Sequence, residues 1–278
     1  MQLPDPFDRA IRWVDDARDQ ALRQPAHSER TGAILGLMLA VAFVICFSTG
    51  LVSHVAQNPD APFTWSPRPA GWYRLSQGTH VVTGLMTVPL LLAKLYAMWP
   101  HLFDRPIVRS VAHGLERAML LVLVASSLFL LHTGIANIAH WYPWQLFFPP
   151  AHFWAAWMMA GGLLTHGLLK IPVVRRALGS ADGEPVEEAR GRRAFIMGSV
   201  ATAALIGVAS AGQTFRPLRR FIALAPRDPD VGPQGVPINK SAQSAGVLDS
   251  ATSPDYRLRV GGRVDTELEF TLDELRAL

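Results

Sequence analysis

The chain has 278 residues, half of them hydrophobic and only 17% charged, with a formal net charge of +4. That is the profile of a membrane protein. No basic stretch interleaved with aromatics supports nucleic-acid binding, and the single cysteine, Cys46, excludes an internal disulfide and any cysteine-cluster metal site.

Residues 1–32 are charged and amphipathic, with no apolar core of the kind a cleaved signal carries, and form a cytoplasmic N-terminal segment. Apolar runs of about 20 residues, enough to cross a ~30 Å hydrocarbon core, then occur at 33–55, 79–99, 115–138 and 152–170, with a weaker fifth at 194–213. The first four make one domain over 33–172, in which the first run serves as the insertion signal. Residues 173–193 are a charged cytoplasmic linker, and 194–213 a fifth span that anchors. The stretch 214–255, rich in Pro, Gly, Ser and Asp, reads as an extended external linker. In 256–278, "YRLRVGGRVDTELEFTLDEL" alternates around Gly261-Gly262 and turns into a helical start with Thr271 three residues before Glu274. The chain is expected to end one short helix into a soluble α+β domain. The fold class expected is thus an all-α membrane protein: a four-helix bundle, a fifth anchoring span, a linker and the truncated start of a soluble α+β domain.

Orientation follows from the positive-inside rule. The segments at 1–32, 94–117 and 170–193 carry fifteen Lys or Arg, whereas the alternate loops carry two, Arg68 and Arg74. The N-terminus is therefore expected inside and the C-terminus outside an inner membrane. The loops "PFTWSPRPAGWYRL" and "NIAHWYPWQLFFPPAH" supply the interfacial aromatics of the outer side.

Polar side chains at membrane depth are costly and mark function by default. His152 and His166 lie fourteen residues apart, ~21 Å along a helix and close to four turns, so they share a face at two depths. That spacing suits two haems stacked across a bilayer, each needing a second axial ligand from another helix. Gly161 and Gly162 between them would admit a porphyrin edge or a neighbouring helix. For the outer site His80, with Gly84 one turn on, is the first choice, and His54, near Gly50, the alternative. His132 suits a polar boundary residue and His140 a wet loop. For the inner site His113 is preferred to His101, which follows Pro100. Lys94, fourteen residues after His80, either pairs with a haem propionate or snorkels to the interface. The haem and metal ligands expected are thus His80 with His152 and His113 with His166, for one or two haem b.

"QGTHVVTGLMTVPLLLAKLYAMWPHLF", "GIANIAHWYPWQLFFPPAHFWAAW" and "THGLLKIPVVRRAL" resemble the membrane cytochrome b-like part of bacterial molybdopterin-dependent oxidoreductases. "YRLRVGGRVDTELEFTLDELRAL" resembles the opening of the sulfite-oxidase-type molybdopterin domain that follows in such proteins, and "GRRAFIMGSVATAALIGVASAG" resembles a twin-arginine export signal ending in an A-x-A triplet at 209–211. An ordinary fifth span with positive-inside arginines is the competing reading of that stretch, and Arg216, Arg219 and Arg220 beyond it run against the charge bias of both. The resemblance implies a membrane electron-transfer module that couples an external molybdopterin-type catalytic domain or subunit to the respiratory chain, with the lipid bilayer and a carrier such as quinone as partners. The family's molybdenum ligand is a cysteine deep in its catalytic domain, and no cysteine follows Cys46, so molybdopterin is expected only in a full-length or partner domain. The alternatives are a non-redox membrane anchor for an exported enzyme and, less favoured for want of an inverted repeat, a proton-linked transporter.

Overall fold

The computed structural model describes residues 6–57, 68, 69, 71–104, 106, 108–139, 141, 148–179, 185–212, 215–221 and 246–278. They fall into two compact units, 1–225 and 226–278. His140 and most of the expected linker 214–255 lie outside the described residues.

The first unit opens with α1 (Pro6–Leu22) and continues into five helices long and apolar enough to cross a membrane: α2 (Glu29–Gln57), α3 (Trp72–Leu102), α4 (Val111–Ile138), α5 (Phe148–Gly179) and α6 (Val186–Ala211). They correspond one to one with the five apolar runs, and each begins a few residues before its run. The expected linker 173–193 is accordingly helical at both ends, through Gly179 and again from Val186. In the expected linker 214–255, the described residues include a 3₁₀ helix at Arg216–Phe221 and a short helix α7 (Leu248–Thr252). Helical pieces of one turn are too short to leave a period in the sequence.

Neighbouring helices pack α2 on α3, α4 on α5 and α2 on α5, and α6 lies along α3. The fifth span is therefore part of the same packed unit as the other four. Lipid offers no hydrophobic drive for helices to associate, so close approach depends on small residues. Ala93 and Ala97 of α3 meet Leu35 of α2 and Phe195 of α6 in the core. A Cβ at Gly162 of α5 would lie 3.4 Å from Leu123 Cβ of α4, and one at Gly207 of α6 would lie 2.9 Å from Met86 Sδ of α3. Gly162 thus serves a helix crossing. Large apolar side chains such as Val41, Leu121, Leu164 and Leu205 face outward, as a bilayer environment requires.

The helices alternate in direction, which gathers their ends into two sets. At the basic end, Arg18 of α1 donates to Pro100 O at 3.2 Å and pairs with Asp104, Arg117 donates to Leu102 O at 2.7 Å, and Arg176 pairs with Glu29 at 3.4 Å. At the aromatic end, Gln57 bonds Tyr73, Phe153 packs against Trp157 near the start of α5, and Phe148 is buried.

The second unit contains α7, the antiparallel strands β1 (Arg257–Val260) and β2 (Leu268–Thr271), paired from Arg257↔Thr271 to Val260↔Leu268, and α8 (Leu272–Ala277). The expected helical start is a full capping box between Thr271 and Glu274. Hydrogen bonds from the Thr271 N–H and hydroxyl hold the Glu274 carboxyl below the usual glutamate range. With its folded pKa lowered, the cap contributes above the ordinary glutamate range and is lost as the pH falls through the lowered value.

Candidate functional site

Two antiparallel helix pairs bring their histidines together at the aromatic end. In such a pair, residues equidistant from the connecting turn lie at equal depth, so His80 near the start of α3 meets the 46–50 turn of α2. His152 near the start of α5 likewise meets Thr133 of α4. The rings of His80 and His152 stand 6.1 Å apart between centroids, with their planes at 75°.

Each ring is held by the nitrogen that faces away from chemistry. His80 Nδ1 donates to the backbone carbonyl of Cys46 at 2.8 Å, and a carbonyl can only accept. The reach depends on Gly50, because a Cβ there would fall 2.8 Å from His80 Cε1 and 2.9 Å from Nδ1. His152 Nδ1 lies 2.9 Å from Thr133 Oγ1. The Thr133 hydroxyl spends its proton on Phe129 O at 2.8 Å, so it accepts from His152. Assigned from these partners, both neutral rings carry the proton on Nδ1 and a lone pair on Nε2. Thr133 is buried at 1% exposure, which keeps water from replacing it.

An imidazole bound to a metal through one nitrogen characteristically donates its other N–H to a carbonyl or similar acceptor. Two metal–imidazole bonds of about 2 Å on opposite sides of one ion place the ring centroids roughly 6 Å apart. The His80–His152 pair meets both conditions. Among the described residues no group of three or more His, Cys, Asp or Glu could hold a metal ion.

The other candidates are placed differently. His54 is exposed and stacks on Phe153 at 4.0 Å and 14°, away from the pair. His132 is exposed, with its ring 5.9 Å from Trp141. His101 donates from Nε2 to His27 O at 3.1 Å.

At the basic end, His113 and His166 make no ring contact with each other. Both instead lie within electrostatic reach of Glu116, which is paired with Lys170 at 2.6 Å. His113 Nδ1 accepts the Arg109 N–H at 3.2 Å, so the neutral ring carries its proton on Nε2. That is the opposite tautomer to the His80–His152 pair, with no lone pair at the distal nitrogen. Lys94 donates to the Gly32 carbonyl in the first turn of α2.

Sequence reasoning missed Thr133, the Cys46 carbonyl and the pairing of Gly50 with His80. The equal-depth rule for helix hairpins would have pointed to residues near 134 as partners of His152. It also missed His27, which is buried at 2% exposure, bonded through Nδ1 to Ala97 O at 3.2 Å and packed on Tyr96. Compared with known proteins, the chain has no match among family models, curated proteins or solved structures.

Proposed function

We propose that the chain is a membrane electron-transfer module, a b-type cytochrome with one haem held between His80 and His152. The observation that carries the reading is the pair itself: two rings 6.1 Å apart, each with Nδ1–H tied to an acceptor, so that Nε2 is left as a lone pair on both. A neutral imidazole nitrogen with its lone pair is the atom that ligates a metal. Haem would supply one-electron transfer at a six-coordinate low-spin iron. The chain's own residues do the rest. Gly50 gives His80 room, Cys46 and Thr133 fix the tautomers, and Phe47, Phe153 and Trp157 wall the neighbouring face of α2 and α5 with apolar rings.

The surroundings of His113 and His166 do not favour a second haem, since His113 has the wrong tautomer for ligation through Nε2. The positive-inside bias supports the basic end facing the cytoplasm. The sequence resemblance supports an external molybdopterin-type catalytic domain or subunit as electron partner, a quinone-like carrier in the membrane, and export through Arg192–Arg193 by the twin-arginine route.

The test is a dithionite-reduced minus oxidised spectrum of the purified protein, expressed with adequate haem, and pyridine-haemochrome quantitation. One low-spin b-type haem per chain is expected. A colourless protein would leave a non-redox membrane anchor as the function.

A further inference from the structure

His54 of α2 takes no part in the His80–His152 pair, yet the fold stations it one helical turn beyond that pair. Gly50, which gives His80 its room, precedes His54 by four residues, so the two lie within about 40° of each other round α2, with His54 ~6 Å nearer the aromatic end. The His54 ring lies flat on Phe153, with 4.0 Å between centroids and 14° between planes, and Phe153 directly follows His152 in α5. Stacking holds the ring by its face and leaves both nitrogens at the rim. Among the described residues neither nitrogen is hydrogen-bonded, and the side chain is exposed. Other polar groups at this end are committed or turned away. Gln57, nearly one turn further along α2, donates to Tyr73 of α3, and Arg74, six residues before His80, stands about 120° round α3 from it.

An oriented ring nitrogen at the polar mouth of an apolar site suits an anion that reaches the mouth from within. Haem carries two carboxylates, which are costly in hydrocarbon and turn toward the nearer water boundary. For a haem between His80 and His152 that boundary is the aromatic end, where His54 stands. We propose, resting on the haem reading, that His54 is a cofactor-binding residue that donates a ring N–H to a carboxylate of that haem and so raises its reduction potential. Hydrogen bonds to an ionised acceptor are the strong ones, and a donor on the carboxylate draws off negative charge that would otherwise favour ferric iron. The same contact fixes which edge of the porphyrin faces α2 and Phe153.

Redox titration and resonance Raman spectra of the purified holoprotein test it, the spectra through the bending band of the haem carboxylates, which moves with their hydrogen bonding. His54→Phe preserves an aromatic ring on Phe153 and removes the donor. It is expected to keep one haem per chain, to shift the midpoint downward and to move the carboxylate band, whereas His54→Gln, which keeps an N–H, recovers part of both shifts. A merely structural role for the ring would leave the band in place. Loss of haem in His54→Phe overturns the proposal by making His54 an axial ligand. A midpoint and a band that both overlay the wild type overturn it by leaving His54 without contact to the haem. A colourless wild type removes the haem reading itself and this proposal with it, so pigment in the wild type tells the two failures apart.

Discussion

His152 and His166 sit fourteen residues apart on one helix, α5, and yet occupy opposite kinds of site. His152 is held by a buried hydroxyl and faces another histidine, with no charged side chain bonded to either ring. His166 lies by an ion pair, Glu116 with Lys170, and near a second lysine, Lys94. The difference teaches that spacing along a helix sets only depth and face. What a membrane histidine can do is decided by the partner of its other nitrogen, because that partner chooses the tautomer.

The comparison breaks most sharply on removing each histidine in turn. His152→Ala is expected to abolish the haem absorbance, whereas His166→Ala keeps about one haem per chain by pyridine haemochrome. Equal loss in both would return the basic-end histidines to ligation. A subtler cut leaves the ligand and removes what orients it. Thr133→Val strips the acceptor from His152 Nδ1–H, and loss of such an outer partner typically costs about 10–100-fold in metal affinity. Haem retention during dilution should fall accordingly, and Thr133→Ser, which keeps the hydroxyl, should restore it. An unchanged Thr133→Val would sink the tautomer argument.

Next in size is a steric pair. Gly50→Ala drives a methyl to within 2.8 Å of His80 Cε1, whereas Gly134→Ala meets His152 Cε1 at 3.7 Å, an ordinary contact. Overpacking of the first kind costs about 1–3 kcal/mol. Thermal unfolding of the two variants in detergent, with their haem content, should separate them, Gly134→Ala remaining close to wild type.

These cases mark what was legible in the sequence. The five helices could be read because apolar length is a local property, and the Thr271–Glu274 cap because three residues suffice to define it. His80 and His152 could be nominated as polar groups at membrane depth, but that their rings meet depended on helix rotation, which no run of apolar residues encodes. Gly50 was visible as a small residue near His54, but it faces His80 across the helix pair. The packing of α6 along α3 was hidden for a related reason: an apolar helix in lipid has no polar face to betray which side meets its neighbours. The linker composition suggested a separate anchor, and the small residues Gly207 and Ala203 that bring α6 close look alike in an anchor and in a packed helix.

The smallest expected effect lies at the basic end. Glu116 and Lys170 form a 2.6 Å ion pair with side chains 32% and 40% exposed, so solvent screens them and the pair is worth roughly 0–1 kcal/mol. Glu116→Gln keeps the shape and can still accept from Lys170, so the fold and the His80–His152 pair should be untouched. What changes is the charge beside His166 and His113, both of which face Glu116, while Lys94 and Lys170 remain on the cationic side. Were His166 an axial ligand, removing a negative charge next to it would raise the reduction potential of its haem. On the proposed His80–His152 site the haem would lie at the far end of α5, ~21 Å away along the helix, and a redox titration of Glu116→Gln should overlay the wild type. A displaced midpoint at constant haem content would place an iron beside His166, and so the same titration measures which end of α5 carries the electron.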